Sequence, residues 1–115
     1  MARRKFGNIK AGGFDSGKEA KRYGDLLLLR VARNPSERVV RIERQVKFVV
    51  LPAQLDINGK LLERAVHYIA DFVVTYGDGH TEVEDVKSPP TRKLPAYIIK
   101  RKLMLFRHGI RIKEI

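Results

Sequence analysis

Two aspartates and a lysine stand out in the apolar middle of this 115-residue chain. Asp71 interrupts the run YIADFVV, where a strand would normally carry another apolar side chain. Asp85 and Lys87 follow in TEVEDVK, and because side chains alternate along a strand, both point to one face. Carboxylates brought together in this way can hold Mg²⁺, which activates water for chemistry on phosphates.

The segment between the two aspartates predicts how they meet. Gly77-Asp78-Gly79 is typical of a β-hairpin turn, and residues 71 and 85 are equally distant from Asp78. A turn centred there places the aspartates opposite each other, with Cβ atoms about 4.5–5.5 Å apart, where like charges destabilise a sheet. A cation would offset that repulsion, whereas a one-residue shift of register would separate the pair. The alternative is that Asp71 is an ordinary polar strand residue and that Asp85 and Lys87 are solvated surface charges.

A helix is predicted ahead of these strands. Ser16-Gly-Lys-Glu19 matches a capping box, with Ser16 as the N-cap and Glu19 as the third helical residue. We expect the helix to run to about Arg33, before Asn34-Pro35. Glu19 begins the face that packs inward, so its carboxylate is a cap, a ligand, or both.

The remaining pattern predicts an α/β fold in the order α-β-β-β-α-β, within one domain of residues 1–115. Residues 38–51 are rich in Val and Ile and predict one strand or a bent pair ending at Pro52. The other expected features are a turn at Asp56–Gly59, hairpin strands at about Val66–Tyr76 and His80–Lys87, a strand end at Ser88-Pro89-Pro90, a helix from about Leu94 to His108 capped by Gly109, and a final strand from Ile110 to Ile115.

The charge balance indicates a polyanionic partner. Lys and Arg number 24 against 13 acidic residues, which gives a net charge of +11 and a pI near 10.3. Such an excess is typical of nucleic-acid-binding proteins, although a basic protein without such a partner is the alternative. We expect residues 1–15 to form a flexible basic arm that touches phosphates. The expected DNA contacts are Arg3, Arg4, Lys5, Lys10, Lys18, Arg92, Lys93, Lys100 and Arg101.

Several classes of protein are excluded by composition. The chain has no cysteine, so disulfides and thiolate metal sites are excluded. No apolar run approaches the ~20 residues of a membrane span, and the N-terminus lacks the apolar segment of a signal peptide. We therefore expect a cytoplasmic protein without a membrane partner, in the host cytoplasm if a phage encodes it.

Taken in order, these motifs resemble those of the PD-(D/E)XK nuclease superfamily. Asp71 matches the acid of the first half-motif, with Ala70 in place of the usual Pro, and Asp85-Val86-Lys87 matches the second half. FDSGKE, YIADF and VEDVKS are similar to motifs of the phage endonuclease I type of Holliday-junction resolvase and of its small phage relatives. Ser88 stands where those proteins have Gly, and the resemblance covers about residues 14–102.

The resemblance implies a restriction-endonuclease-like core, with a mixed sheet and flanking helices. It also implies a Mg²⁺-dependent DNA endonuclease, with Mn²⁺ as the alternative metal, that acts on branched DNA such as four-way junctions as a homodimer. A nuclease that nicks or cuts duplex or single-stranded DNA is one alternative, and a non-catalytic nucleic-acid-binding protein is another. The implied site residues are Glu19, Asp71, Asp85 and the Val86 carbonyl as metal ligands, Lys87 as the group that orients or activates water, and Gln45 either near the site or without a function.

Overall fold

The computed structural model describes residues 13, 14 and 16–115, and within them the chain is a mixture of helices and strands. The expected basic arm, with Arg3, Arg4, Lys5 and Lys10, lies outside the described residues. In chain order the elements are α1 (Gly17–Leu28), a 3₁₀ turn (Leu29–Val31), β1 (Val39–Leu51), β2 (Gln54–Leu55), β3 (Leu61–Glu63), β4 (Val66–Tyr76), β5 (Thr81–Asp85), α2 (Pro89–Arg92), α3 (Pro95–His108) and β6 (Lys113–Glu114).

Helix α1 begins as predicted and ends earlier. The Ser16 hydroxyl accepts a hydrogen bond from the Glu19 amide at 3.1 Å, which confirms the N-cap. The predicted end near Arg33 is wrong, because the α-helix stops at Leu28 and a single 3₁₀ turn follows it. The residues beyond form a separate turn, in which the Asn34 carbonyl accepts from the amides of Glu37 and Arg38.

Strand β1 is continuous and has one backbone distortion. It runs from Val39 to Leu51 as one strand, and Gln45 within it has a φ of +53°, in the left-handed region. Gln45 is the sole non-glycine residue with a positive φ among those that the structure describes. The sequence predicted either one strand or a bent pair. The structure has one strand, with a local backbone distortion at Gln45.

Three elements, the paired strands β2 and β3 and the helix α2, were not predicted because they are too short to show a periodicity. The turn expected at Asp56–Gly59 joins strands β2 and β3, which pair antiparallel in a separate two-stranded sheet. The Asp56 carboxylate accepts from the amides of Asn58 and Lys60 at 2.8 and 2.9 Å, and this closes the turn. The third missed element is α2, where Ser88 is an N-cap and Pro89 occupies the first helical position.

The hairpin of β4 and β5 has the predicted turn. The amide of Tyr76 donates to the carbonyl of His80 at 2.9 Å, and Gly79 adopts a φ of +95°, which glycine adopts without steric cost. Strand β5 ends at Asp85 rather than at the predicted Lys87. The Val86 amide donates to the Asp71 carboxylate at 2.8 Å, so a side chain takes the place of the next strand partner.

The C-terminal elements follow the prediction in order and differ in length. Helix α3 runs from Pro95 to His108, and Gly109 follows it with a φ of +67°, that of a left-handed C-cap. The expected strand from Ile110 to Ile115 is reduced to Lys113–Glu114, which pairs parallel with β5. A hairpin and a parallel neighbour make the sheet mixed, and its strand order is β1-β4-β5-β6.

The described residues group into two compact units. One comprises the described residues up to Arg41 together with Thr75–His80, and its buried side chains include Phe14, Glu19 and Leu26. The other comprises Ile42–Val74 and Thr81–Ile115. The second unit has its own hydrophobic core, formed by Val50, Tyr68, Ala70, Val73, Val83, Tyr97, Met104 and Ile112.

No helix among the described residues is long and apolar enough to cross a membrane.

Candidate active site

The carboxyl groups of Asp71 on β4 and Asp85 on β5 lie close enough to share a hydrogen bond. Asp85 is completely buried, and Asp71 is partly buried. The hydroxyl of Tyr68, also buried on β4, donates to Asp85 Oδ2 at 2.5 Å. Two carboxylates at this separation repel each other when both are ionised, so the pair favours either a shared proton or a bound cation.

Burial controls the electrostatics of Asp85. The loss of solvent, which is the largest cause, and the neighbouring Asp71 together raise the pKa of the Asp85 carboxyl to about 6. The hydrogen bond from Tyr68 and the positive charge of Lys87 favour the ionised form and oppose that rise in pKa. Burial and the bond to Asp85 also raise the pKa of the Tyr68 phenol, which therefore remains a neutral donor.

Lys87 forms an ion pair with Asp85 but leaves one oxygen of that carboxylate without a hydrogen bond. Its ammonium lies 3.2 Å from Asp85 Oδ1, a distance that gives an ion pair. Oδ1 is nevertheless buried without a hydrogen-bond partner among the described residues, because the approach of the amine lacks hydrogen-bond geometry. The amine also lies 5.4 Å from the centre of the Tyr97 ring, on α3. A buried carboxylate oxygen that lacks a hydrogen bond is well suited to a cation.

The orientation of Asp71 is set by two donors. The Val86 amide donates to its Oδ2 at 2.8 Å, and the Gln45 side-chain amide donates to its Oδ1 at 3.3 Å. Oδ1 of Asp71 thus has its partner on β1, and Oδ2 has its partner in the residue that follows β5. The sequence left two alternatives for Gln45, a residue near the site or one without a function. The structure places its side-chain amide at Asp71.

The left-handed backbone at Gln45 coincides with this contact. A left-handed conformation costs a non-glycine residue about 1–2 kcal/mol, and such strain is common at functional sites. Because the strained residue is also the one that donates to Asp71, we interpret the distortion of β1 as the means by which the amide reaches the carboxylate.

Glu19 is placed differently from the other predicted site residues. It is buried, with 3% of its surface exposed, at the start of α1 in the first compact unit. Asp71, Asp85 and Lys87 belong to the second unit. Its amide donates to Ser16, so the capping interaction exists whatever else the carboxylate contacts.

The donor set suits a hard cation. Within residues 13–14 and 16–115, no three His, Cys, Asp or Glu side chains are close enough to form a ready-made metal cluster. The Asp71 and Asp85 carboxyls nevertheless supply oxygen ligands, and the buried Oδ1 of Asp85 lacks a hydrogen bond. One or two carboxylates with waters is a common way to hold Mg²⁺, so the residues present fit this group.

The expected DNA contacts divide by accessibility. Lys18 and Lys93 are exposed, and Lys100 is half-buried on α3. Arg92 donates to the Ile115 carbonyl at 2.9 Å, and Arg101 lies 3.5 Å from the Glu114 carboxylate. These two arginines therefore also tie the C-terminal strand to α2 and α3.

Two tyrosines of the site were missed by sequence reasoning. Tyr68 donates to Asp85, and Tyr97 contacts Lys87 through its ring while its hydroxyl donates to Glu114 at 2.5 Å. A buried tyrosine hydroxyl needs a hydrogen-bond partner, and this is a usable signal for Tyr68 in an otherwise apolar strand. No comparable signal marks Tyr97, which lies on a helix distant in sequence from the carboxylates.

The strain at Gln45 predicts an unusual order of stabilities. Gln45→Gly and Gln45→Ala both remove the amide that donates to Asp71, but only glycine relieves the left-handed backbone. We expect the glycine variant to have the higher free energy of unfolding, by about 1 kcal/mol, in urea denaturation. Lys47 is the matched control, because it is exposed on the same strand and has no positive φ. At that position the order should reverse, with Lys47→Ala more stable than Lys47→Gly. A Gln45→Ala protein as stable as Gln45→Gly would contradict this account of β1.

Comparison with known proteins connects this site to a family without assigning it an activity. No curated protein and no solved structure gives a significant match to the chain. A family model described as a protein of unknown function, DUF1064, matches residues 3–113 and therefore covers Asp71, Asp85 and Lys87. The chain belongs to the DUF1064 family.

Proposed function

We propose that this chain is a Mg²⁺-dependent DNA endonuclease that hydrolyses phosphodiester bonds. The observation that carries the proposal is the contact between the Asp71 and Asp85 carboxyls, with the Lys87 ammonium 3.2 Å from Asp85. Two acids on the paired strands of one hairpin, with a lysine two residues beyond the second strand, suit phosphodiester hydrolysis assisted by a metal ion. The net charge of +11 favours a polyanionic substrate.

The arrangement of elements supports a restriction-endonuclease-like fold. With the separate β2-β3 sheet, the 3₁₀ turn and the four-residue helix α2 set aside, the order is α1, β1, β4, β5, α3 and β6, and these four strands are neighbours in the sheet in the same order. The acidic residues lie on the second and third of these strands. This is the position in which the PD-(D/E)XK resemblance puts them.

The proposed ligands of the metal ion within the second compact unit are the carboxylates of Asp71 and Asp85 and the Val86 carbonyl, and Glu19 as a further ligand stays a prediction of the resemblance. A bound Mg²⁺, or Mn²⁺ in its place, would supply Lewis acidity at the phosphate and lower the pKa of a coordinated water. Gln45 and the Val86 amide hold Asp71, and Tyr68 holds Asp85, so the two carboxylates are oriented before substrate arrives.

Lys87 acts on the water and on the developing charge. Its ammonium donates to the attacking oxygen or to a non-bridging phosphate oxygen, and both interactions strengthen as negative charge accumulates. The water oxygen forms the new bond to phosphorus, the bond from phosphorus to the leaving sugar oxygen breaks, and a proton ends on that sugar oxygen.

The substrate that we propose is branched DNA, such as a four-way junction, cut by a homodimer that makes two incisions. A nuclease of the same fold that nicks or cuts duplex or single-stranded DNA is the first alternative. A non-catalytic nucleic-acid-binding protein is the second, and it is favoured by the net charge alone, which requires no active site.

Replacement of a site residue should slow DNA cleavage far more than it weakens DNA binding. Purified protein with Mg²⁺ is expected to cleave DNA, and Asp85→Asn or Lys87→Met should lower the rate by at least about 100-fold. Asp85 contacts no DNA group in this proposal, so the DNA affinity of Asp85→Asn measured in EDTA should change little, whereas Lys87→Met also removes a phosphate contact. Gel-based cleavage and fluorescence anisotropy measure the two quantities.

A matched control is Asp25→Asn, which changes a partly exposed aspartate paired with Lys21 on α1 and should cleave at the wild-type rate. Absence of cleavage by the wild-type protein on junction, duplex and single-stranded DNA would support the binding-protein alternative instead.

Metal binding should also appear as a change in thermal stability. At free Mg²⁺ about 100 times its dissociation constant, the wild-type free energy of unfolding should rise by about 2.7 kcal/mol, which raises the melting temperature by several degrees. Asp85→Asn removes a buried carboxylate beside Asp71, so it should be more stable than wild type in EDTA and show little response to Mg²⁺. An equal Mg²⁺ response in both proteins would remove Asp85 from the proposed metal site.

The preferred DNA structure can be tested directly. A four-way junction and a linear duplex built from the same arm sequences present the same base pairs and differ in the branch point. We expect the junction to be cleaved faster, at enzyme concentrations below saturation. Equal rates would refute the junction preference and leave a nuclease for ordinary DNA.

A further inference from the structure

A cavity of about 340 Å³ opens beside the carboxylate pair. Tyr68 and Lys87 line it, and these are the residues that contact Asp85 at 2.5 and 3.2 Å. The cavity therefore shares two of its walls with the candidate active site, and a group bound in it would be adjacent to a phosphate at the carboxylates.

The walls of the cavity differ in character. Two lysines, Lys87 and Lys100, line it and give it positive charge. Ile69 and Leu94 line it as well and leave 48% and 53% of their surfaces exposed, although both are large apolar side chains. Cationic groups suit a phosphate, and apolar side chains suit the face of a nucleobase.

The volume decides how much of a nucleic acid can enter. Cavities for small ligands span about 300–1,000 Å³, and this one lies at the lower end of that range. It suits one nucleotide and is too small for a base pair. A nucleotide inside a duplex is stacked on both sides and paired, so its base reaches such a cavity only after unstacking, which costs least where the base is already unpaired.

We infer that this cavity binds a single unpaired nucleotide of the DNA strand, with its phosphate toward Lys87 and Lys100 and its base against Ile69 and Leu94. The inference rests on the proposed nuclease function and adds a substrate class to it, namely DNA with an unpaired nucleotide next to the bond that is cut. Branch points, bulges, flaps and single strands share this feature, whereas a perfect duplex lacks it.

The test measures binding without cleavage. A duplex with one unpaired 2-aminopurine is compared with the fully paired duplex in EDTA, with anisotropy for affinity and 2-aminopurine fluorescence for the environment of the base. The wild-type protein should bind the unpaired substrate about tenfold more tightly, and the 2-aminopurine emission should change on binding.

A filled cavity should lose this preference. Ala96 is exposed and lines the cavity at the start of α3, so Ala96→Trp places a large ring in the space for the base. Ile99 is 57% exposed on the same helix and does not line the cavity, which makes Ile99→Trp the matched control. Ala96→Trp should bind both duplexes equally, and Ile99→Trp should retain the tenfold preference. Leu94→Trp fills the same space from another exposed position if Ala96→Trp does not fold.

The outcomes separate this inference from the proposed function. Equal wild-type affinities for the two duplexes, or a preference that survives in the folded cavity-filling variants, would overturn the nucleotide site even if the protein cleaves DNA. A preference that is lost on filling the cavity supports the site even if no cleavage is detected, and in that case it is the nuclease proposal that fails.

Discussion

A buried carboxylate beside a second carboxylate is the constraint around which the second compact unit is built. Asp85 has no exposed surface, yet its neighbours include Asp71, and burial alone already disfavours its charge. A fold selected for stability alone would put an apolar side chain at this position, as it does at Val83 two residues earlier. The retained acid, with its oxygen Oδ1 lacking a hydrogen bond, is a cost that a bound cation would offset.

The residues around the pair hold its geometry. Gln45 adopts a left-handed backbone and donates a hydrogen bond to Asp71. Strand β5 ends at Asp85, and the amide of the next residue, Val86, also donates to Asp71. The Tyr68 hydroxyl donates a hydrogen bond to Oδ2 of Asp85. Local strain and a shortened strand are thus both directed at the orientation of two carboxylates, a pattern that favours a site over a structural accident.

The distribution of charge is consistent with an acidic centre in a basic protein. The chain has a net charge of +11, while the candidate site itself is a pair of acids. Basic side chains near the C-terminus have two kinds of environment, since Arg92 and Arg101 contact the last strand, whereas Lys93 is exposed to solvent. A polyanion attracted by the overall charge would meet the carboxylates only if a cation neutralises them, and this links the proposed metal to the proposed substrate.

Local patterns in the sequence determined much of the fold. The Ser16 cap, the turn at Gly77-Asp78-Gly79 and the Gly109 cap depend on interactions within a few residues, so their residue types are sufficient to predict them. The spacing of Asp71 and Asp85 about Asp78 likewise predicted that the two acids would be neighbours. Elements of two to four residues, such as β2, β3 and α2, were missed since no periodicity can be seen over so few positions.

Only the tertiary structure decided what surrounds the acids. Three contacts around the acids join segments that are 10 to 26 residues apart in sequence. They are the ring of Tyr97 beside Lys87, the hydroxyl of Tyr68 on Asp85, and the amide of Gln45, with its left-handed backbone, on Asp71. Burial and the resulting rise of the Asp85 pKa depend on the same packing. The sequence alone determined which groups could do chemistry and roughly where they meet, because these follow from strand alternation and turn position. Their environment depends on contacts between distant segments, which no local pattern encodes.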